Sequence, residues 1–191
     1  IRNAPTVGPI TGQGAARYAV YFGDGHANVY ALDAQTGRQL WKAKADPHVV
    51  ARITAGSTLY GGKLFVPVSS SEEFSSGNPG YSCCTARGSV VALDANTGKE
   101  IWKAWVVPEE PKPWLTQPNG VVLYKPAGGA VWNAPTVDPV RGAVVDRNGI
   151  PLAAQGKALT VGVIPGRMKD ENLVVQEIGK TTGDLVRLRA G

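Results

Sequence analysis

No apolar run in these 191 residues approaches the ~20 needed to cross a bilayer as a helix, so no membrane span is expected. Cysteine is nearly absent as well. The chain has two, and they are neighbours, Cys83 and Cys84. That spacing fits neither a zinc knuckle nor a Cys-x-x-Cys pair, and no His follows to make a haem attachment site. Charge is sparse, at 18% of residues, and the net excess is only +5. Lys and Arg are scattered, without aromatic interleaving or a nucleic-acid motif, which describes a solvated surface and excludes nucleic acid as the expected partner. The 24 Gly and 14 Pro suit many turns without reaching low complexity. The length allows one or two ordinary domains. The start at Ile1, with no signal peptide, reads as a processed product or an excerpt.

What the chain does have is a long-period repeat. Ala31-Leu-Asp-Ala-Gln-Thr-Gly-Arg-Gln-Leu-Trp41 returns as Ala92-Leu-Asp-Ala-Asn-Thr-Gly-Lys-Glu-Ile-Trp102, a period of about 60 residues. In each copy an apolar stretch runs into Asp-x-x-Thr-Gly. Asp and Thr close turns through side-chain to backbone hydrogen bonds, and Gly supplies a positive φ. A new strand follows, carrying a Trp four residues after the Gly. The phrase predicts a hairpin with an aromatic anchor on its outgoing strand. Upstream, Thr58-Leu-Tyr60 and Lys63 to Val68 predict a second hairpin about Gly61-Gly62, and Tyr18 to Phe22 is the matching strand one repeat earlier. A longer echo, Asn3-Ala-Pro-Thr-Val against Asn133-Ala-Pro-Thr-Val, lies near twice the period. Stacked four-stranded units with a terminal Trp hairpin predict an all-β fold, a partial β-propeller of two to three blades. A β-sandwich with a coincidental repeat is the alternative. Each Trp is expected between neighbouring sheets, near its own Asp-x-x-Thr-Gly turn. Residues 1–145 form the propeller part of this reading, and residues 146–191 a divergent or poorly ordered segment.

The cysteine pair allows two readings. It can close into an eight-membered ring, flat, hard and apolar, fit to cover a planar ligand in an oxidising compartment. Alternatively it is two reduced neighbours in a loop. Before it, Val66-Pro-Val-Ser-Ser-Ser-Glu-Glu73 predicts a strand delivering three hydroxyls and two carboxylates to its end, and after it Arg87-Gly88 precedes the next strand. Carboxylates, hydroxyls and an Arg at one edge can hold a hard cation and an anionic ligand together.

These segments, with Arg17-Tyr-Ala-Val-Tyr-Phe-Gly-Asp24, Ala51-Arg-Ile-Thr54, Pro108-Glu-Glu-Pro-Lys-Pro113 and Ala130-Val-Trp-Asn-Ala-Pro-Thr-Val-Asp138, resemble the pyrroloquinoline quinone (PQQ)-dependent alcohol dehydrogenases over about residues 1–145. The Trp-hairpin phrase alone is weakly specific, because non-catalytic propellers of outer-membrane assembly share it. The resemblance implies a periplasmic, eight-bladed quinoprotein propeller in which PQQ lies flat between a vicinal disulfide and a Trp, beside calcium. It implies that Cys83 and Cys84 form the ceiling, Trp132 the floor, and that Ser70, Ser71 and Arg87 meet the cofactor's polar edge. Glu73 would be the calcium ligand, with Glu72 as the one-residue-shift alternative and Asn148 standing in for a second ligand. The implied substrate is a secondary alcohol, polyvinyl alcohol among them, and the implied electron acceptor a cytochrome c. No catalytic base is assignable. The chain alone is expected to be inactive, with weak or undetectable affinity for PQQ and calcium. The competing reading is a non-catalytic propeller used for binding or assembly.

Overall fold

The computed structural model describes residues 3–138, together with the backbone of Ala143–Val145 and Pro151–Ala153. All of them belong to one compact unit, Ile1–Ala158. Strands β1 (Thr6–Pro9), β2 (Tyr18–Gly23), β3 (Asn28–Asp33) and β4 (Gln39–Lys44) form an antiparallel sheet in the order β1-β2-β3-β4. This is the meander of a propeller blade. Along β3 buried and partly buried residues alternate, the period of two that puts Val29 and Ala31 on the core face.

The second sheet repeats the first. It comprises β5 (Ala51–Arg52), β6 (Thr58–Tyr60), β7 (Lys63–Ser70), β8 (Ser89–Asp94) and β9 (Glu100–Trp105), in the order β5-β7-β8-β9 with β6 also on β7. The expected Gly61-Gly62 hairpin joins β6 to β7, with Tyr60 opposite Lys63 and both glycines at positive φ. The same bulge interrupts both Trp hairpins, between Ala31 and Leu32 and between Ala92 and Leu93. Residues 64–70 of β7 are all buried, because this strand is covered on both faces. A short helix, α1 (Glu72–Ser75), follows it.

Beyond the second sheet, β10 (Lys112–Thr116) and β11 (Val122–Lys125) form a separate exposed hairpin that the repeat pattern does not foretell. A third sheet then begins with β12 (Thr136–Asp138), β13 (Ala143–Val145) and β14 (Pro151–Ala153). Thr6 and Thr136 of the Asn-Ala-Pro-Thr-Val echo each open the first strand of a sheet. No helix among the described residues is long and apolar enough to cross a membrane.

The two full sheets share one core, in which Tyr21, Val29 and Trp41 meet Ile53, Leu64, Val66, Val91 and Leu93. Trp41 does lie between sheets, but it engages the turn of the following repeat rather than its own. Its indole nitrogen donates to the Ala95 carbonyl at 3.0 Å. The reason is topological: the Trp sits on the outermost strand of its sheet, so the surface facing it is the neighbouring sheet's Asp-x-x-Thr-Gly turn. Gly98 of that turn has φ +73°, and a Cβ there would lie 2.6 Å from the Trp41 ring, so only glycine fits. Trp102, one repeat later, is partly buried against the cluster of Phe65, Val90 and Ala92.

Candidate functional site

Both Asp-x-x-Thr-Gly turns are closed as their residue types demand. Asp33 accepts from the Gln35 amide and the Thr36 hydroxyl, each at 2.9 Å, and these bonds hold its carboxyl below the usual range. Asp94 accepts from Asn96 and twice from Thr97. These turns face the opposite end of the sheets from the chemistry. The candidate site is at the other end of the second sheet, where β7 stops, β8 starts and β9 stops.

There the run Ser69-Ser-Ser-Glu-Glu73 leaves β7 and winds into α1, which separates the two carboxylates. Glu72 turns inward and is 3% exposed, whereas Glu73 is exposed. The Glu72 carboxylate organises the loop carrying the cysteines. Its Oε1 accepts from the Tyr81 hydroxyl (3.0 Å) and the Thr85 amide (2.7 Å), and its Oε2 from the Ala86 amide (2.8 Å). Burial, then the hydrogen bond to Glu72 and its charge, push the Tyr81 hydroxyl up to about 12. Cys83 and Cys84 are bonded to each other across a cis peptide. The loop is pinned on its far side too, with the Tyr124 amide on the Cys83 carbonyl (2.7 Å) and the Gly128 amide on the Ala86 carbonyl (2.9 Å). Gly88 permits this crossing: at φ +58°, a Cβ on it would sit 2.7 Å from the Gly129 carbonyl oxygen.

A cavity of about 350 Å³ opens beside this loop. Its apolar wall includes Ala51 and Val68, and its polar wall Asp46, His48, Ser70, Thr85 and Arg87. Arg87 lies over the Trp105 ring, with its guanidinium carbon 4.0 Å from the ring centre, and Lys103 lies 4.7 Å from the same ring centre. Lys103 is paired with the buried Asp46 at 3.4 Å. Arg87 donates to the Pro108 carbonyl at 3.0 Å and, among the described residues, pairs only with the exposed carboxylate of Glu110, at 3.9 Å. A pair of that length to an exposed carboxylate neutralises little, so among the described residues Arg87 is a cation available to a ligand. His48 contacts the Thr85 hydroxyl through Nε2 at 2.8 Å. Ser89 shares a sheet face with Val68 and Trp105, its register partners, and its buried Oγ has no hydrogen-bond partner among the described residues.

The structure thus gathers Ser70 and Arg87 on one cavity and puts Cys83 and Cys84 in the loop next to it. Ser71 instead accepts from Arg52 Nε at 3.0 Å. Trp132 follows Val131, whose amide bonds the Val68 carbonyl at 3.2 Å, but it is 52% exposed and does not line the cavity. Asn148 lies outside the described residues. The Glu72 carboxylate and the two sulfurs come within 4.8 Å of one another. Disulfide sulfurs and a carboxylate bonded to three donors are not the oxygen set a hard cation takes.

Sequence reasoning missed Asp46, His48, Lys103 and Trp105. A signal for Trp105 is present: it stands where the first repeat has Lys44, so a departure from the repeat marks the site. His48 and Asp46 lie between repeats, in a loop with no motif.

Compared with known proteins, residues 25–116 match a family model described as "Outer membrane protein assembly factor BamB". A polyvinylalcohol dehydrogenase from a Pseudomonas species is 46% identical over 129 residues, 68% of this chain and 20% of that protein. A second, from Sphingopyxis sp. (strain 113P3), is 39% identical over 140 residues, 73% of this chain and 21% of the relative. The quinohemoprotein alcohol dehydrogenase ADH IIB of Pseudomonas putida is 31% identical over 131 residues, 63% of this chain and 17% of the relative. The chain therefore spans about a fifth of the length of the curated relatives it matches.

Proposed function

Taking as premise that the chain is a relative of the PQQ-dependent alcohol dehydrogenases, as its 46% identity to a polyvinylalcohol dehydrogenase shows, we propose that it is the cofactor-covering part of such an enzyme. The parent activity is oxidation of secondary alcohols such as polyvinyl alcohol, in the periplasm, with a cytochrome c as electron acceptor. The chain by itself is inactive in this reading. The observation that carries it is the cavity that places Arg87 beside the locked Cys83–Cys84 loop.

The donor set fits an anionic, oxygen-rich planar ligand. Arg87 offers a fork-shaped cation for a carboxylate, Thr85 and Ser70 offer hydroxyls, and Trp105 holds Arg87 in place. The disulfide supplies an apolar cover, whereas Ser71, bonded to Arg52, and Trp132, outside the cavity lining, could meet the ligand only beyond the cavity wall. Bound here, a quinone would take a hydride, two electrons with one proton, from the alcohol's carbinol carbon, and the hydroxyl proton would leave separately to a base. The chain's own residues bind and orient it, and none of those described is assigned the role of base.

Calcium fits less well. It takes six to eight oxygens, and of the two carboxylates that follow β7 only Glu73 is uncommitted, since Glu72 is engaged by three protein donors. Asn148 is the candidate second ligand. Among the described residues the cation shell is therefore incomplete, and in this reading affinity for both cofactors is weak.

Titration with PQQ, with and without calcium, followed by Trp fluorescence, tests the reading. Weak binding that Arg87→Ala diminishes supports it. No binding at any attainable concentration, or binding indifferent to Arg87→Ala, overturns it. Tight calcium-dependent quenching abolished by Glu73→Ala would show a complete metal site instead.

The match of residues 25–116 to an assembly-factor family favours a second reading, a non-catalytic binding propeller. That role accounts for the Trp hairpins but leaves the disulfide loop and the Arg87 cavity without a use.

A further inference from the structure

We propose that Thr85 is a ligand-contacting hydrogen-bond donor of the cavity, its hydroxyl aimed by His48 and its backbone held by Glu72. This rests on the cavity being the cofactor pocket proposed above. The argument begins with the imidazole. Its Nδ1 accepts the backbone N–H of Val50 at 3.3 Å, so in the neutral ring Nδ1 bears the lone pair and the proton is on Nε2. Nε2 lies 2.8 Å from Thr85 Oγ1. The ring therefore donates and the hydroxyl accepts.

A hydroxyl that accepts keeps its own single proton to give away. Among the described residues no other group takes it. Thr85 lines the cavity with Arg87 and Ser70, so a ligand oxygen is the acceptor placed to receive it. From the other side, the Thr85 amide is fixed to Glu72 Oε1 at 2.7 Å. Backbone and side chain are thus anchored independently, which is the arrangement of a preorganised donor. Neither His48 nor Glu72 needs to touch the ligand, and both are positioning residues. The ligand chemistry that suits the site is a carboxylate or carbonyl oxygen next to the Arg87 guanidinium, both of which PQQ carries.

The test uses the full 191-residue chain, PQQ as the probe, and equilibrium dialysis, which reads weak binding. Thr85→Val should weaken binding about tenfold, the size of one hydrogen bond to a charged acceptor, and Thr85→Ser should restore it. Nitrogen NMR of the histidines should show His48 as the Nε2–H tautomer in the parent chain, and near-ultraviolet circular dichroism should confirm that both variants are folded. Unchanged affinity in a folded Thr85→Val, or an Nδ1–H tautomer at His48, overturns the proposal. If Arg87→Ala weakens binding while Thr85→Val does not, this inference alone fails. If PQQ does not bind the parent chain at all, the cofactor reading fails and the role of Thr85 with it.

Discussion

The Trp41 indole and the Tyr21 hydroxyl both donate to one acceptor, the Ala95 carbonyl, at 3.0 and 3.2 Å. Both donors come from the first sheet and the acceptor from the turn of the second. They use both lone pairs of that oxygen, in a place where Tyr21 is fully buried and the two rings lie 5.8 Å apart. A polar bond is thereby set inside an apolar joint, and it fixes which residues of the two sheets oppose each other.

Removing the Trp41 side chain should therefore be costly. Trp41→Ala leaves a cavity between sheets and should destabilise by ~3–5 kcal/mol in urea unfolding. Trp102→Ala removes a side chain that is only partly buried, and should cost less than half as much. Equal losses at the two positions would mean that Trp41 is not the joint described here.

The two adjacent glutamates should separate cleanly. Glu72→Ala strips three donors of their acceptor, two of them backbone amides, and should cost about 3 kcal/mol. Glu73→Ala, on the exposed side of α1, should stay within about 0.5 kcal/mol of the parent. Urea midpoints of both variants decide it, and matching midpoints would contradict the placement of Glu72.

Much of this architecture was legible in the sequence, because repetition carries it. The Trp hairpins and the Gly61-Gly62 turn follow from local turn chemistry, and the onset of a third sheet at Thr136 from the Asn-Ala-Pro-Thr-Val echo. The site was legible only in outline. Nothing in Ser-Ser-Ser-Glu-Glu says that the strand ends at Ser70 and a helical turn follows, so which glutamate points inward was not readable. The partners of Glu72 are backbone amides of a loop, which have no sequence signature. His48 reaches Thr85 across 37 positions, a contact that only the packing of sheets creates.

The cysteine loop makes a chemical prediction. Mass spectrometry of native, non-reduced protein from an oxidising compartment should find no alkylatable thiol and a two-hydrogen deficit on the peptide holding Cys83 and Cys84. Two labelled thiols in native material would contradict the bond between them.

Acid should weaken the first sheet through Asp24. Burial raises its carboxyl, but bonds from Asn28, the His26 amide and Tyr30 outweigh that and bring it to about 2. The folded state thus holds its proton less tightly than the unfolded chain, whose carboxyl titrates near ~3.9. The stabilisation is complete above about pH 4 and is lost as pH falls towards about 2. Asp24→Asn lacks this component, so its urea midpoint should fall less over that window than the parent's. A parallel decline in both proteins would assign the acid sensitivity elsewhere.

The bond from Trp41 to the following turn has a direction, and direction constrains how such a chain can change. At the one joint described, the first sheet presents an indole and the second a Gly-bearing turn, and the two flanks are unlike. Two copies related by a twofold axis would bring like flanks together, so they cannot reproduce the joint; only head-to-tail addition can. A whole unit gained or lost leaves compatible flanks behind, whereas a cut inside a unit strands an indole without its turn. Lineages built on this joint should vary in steps of about 60 residues, the period of the repeat.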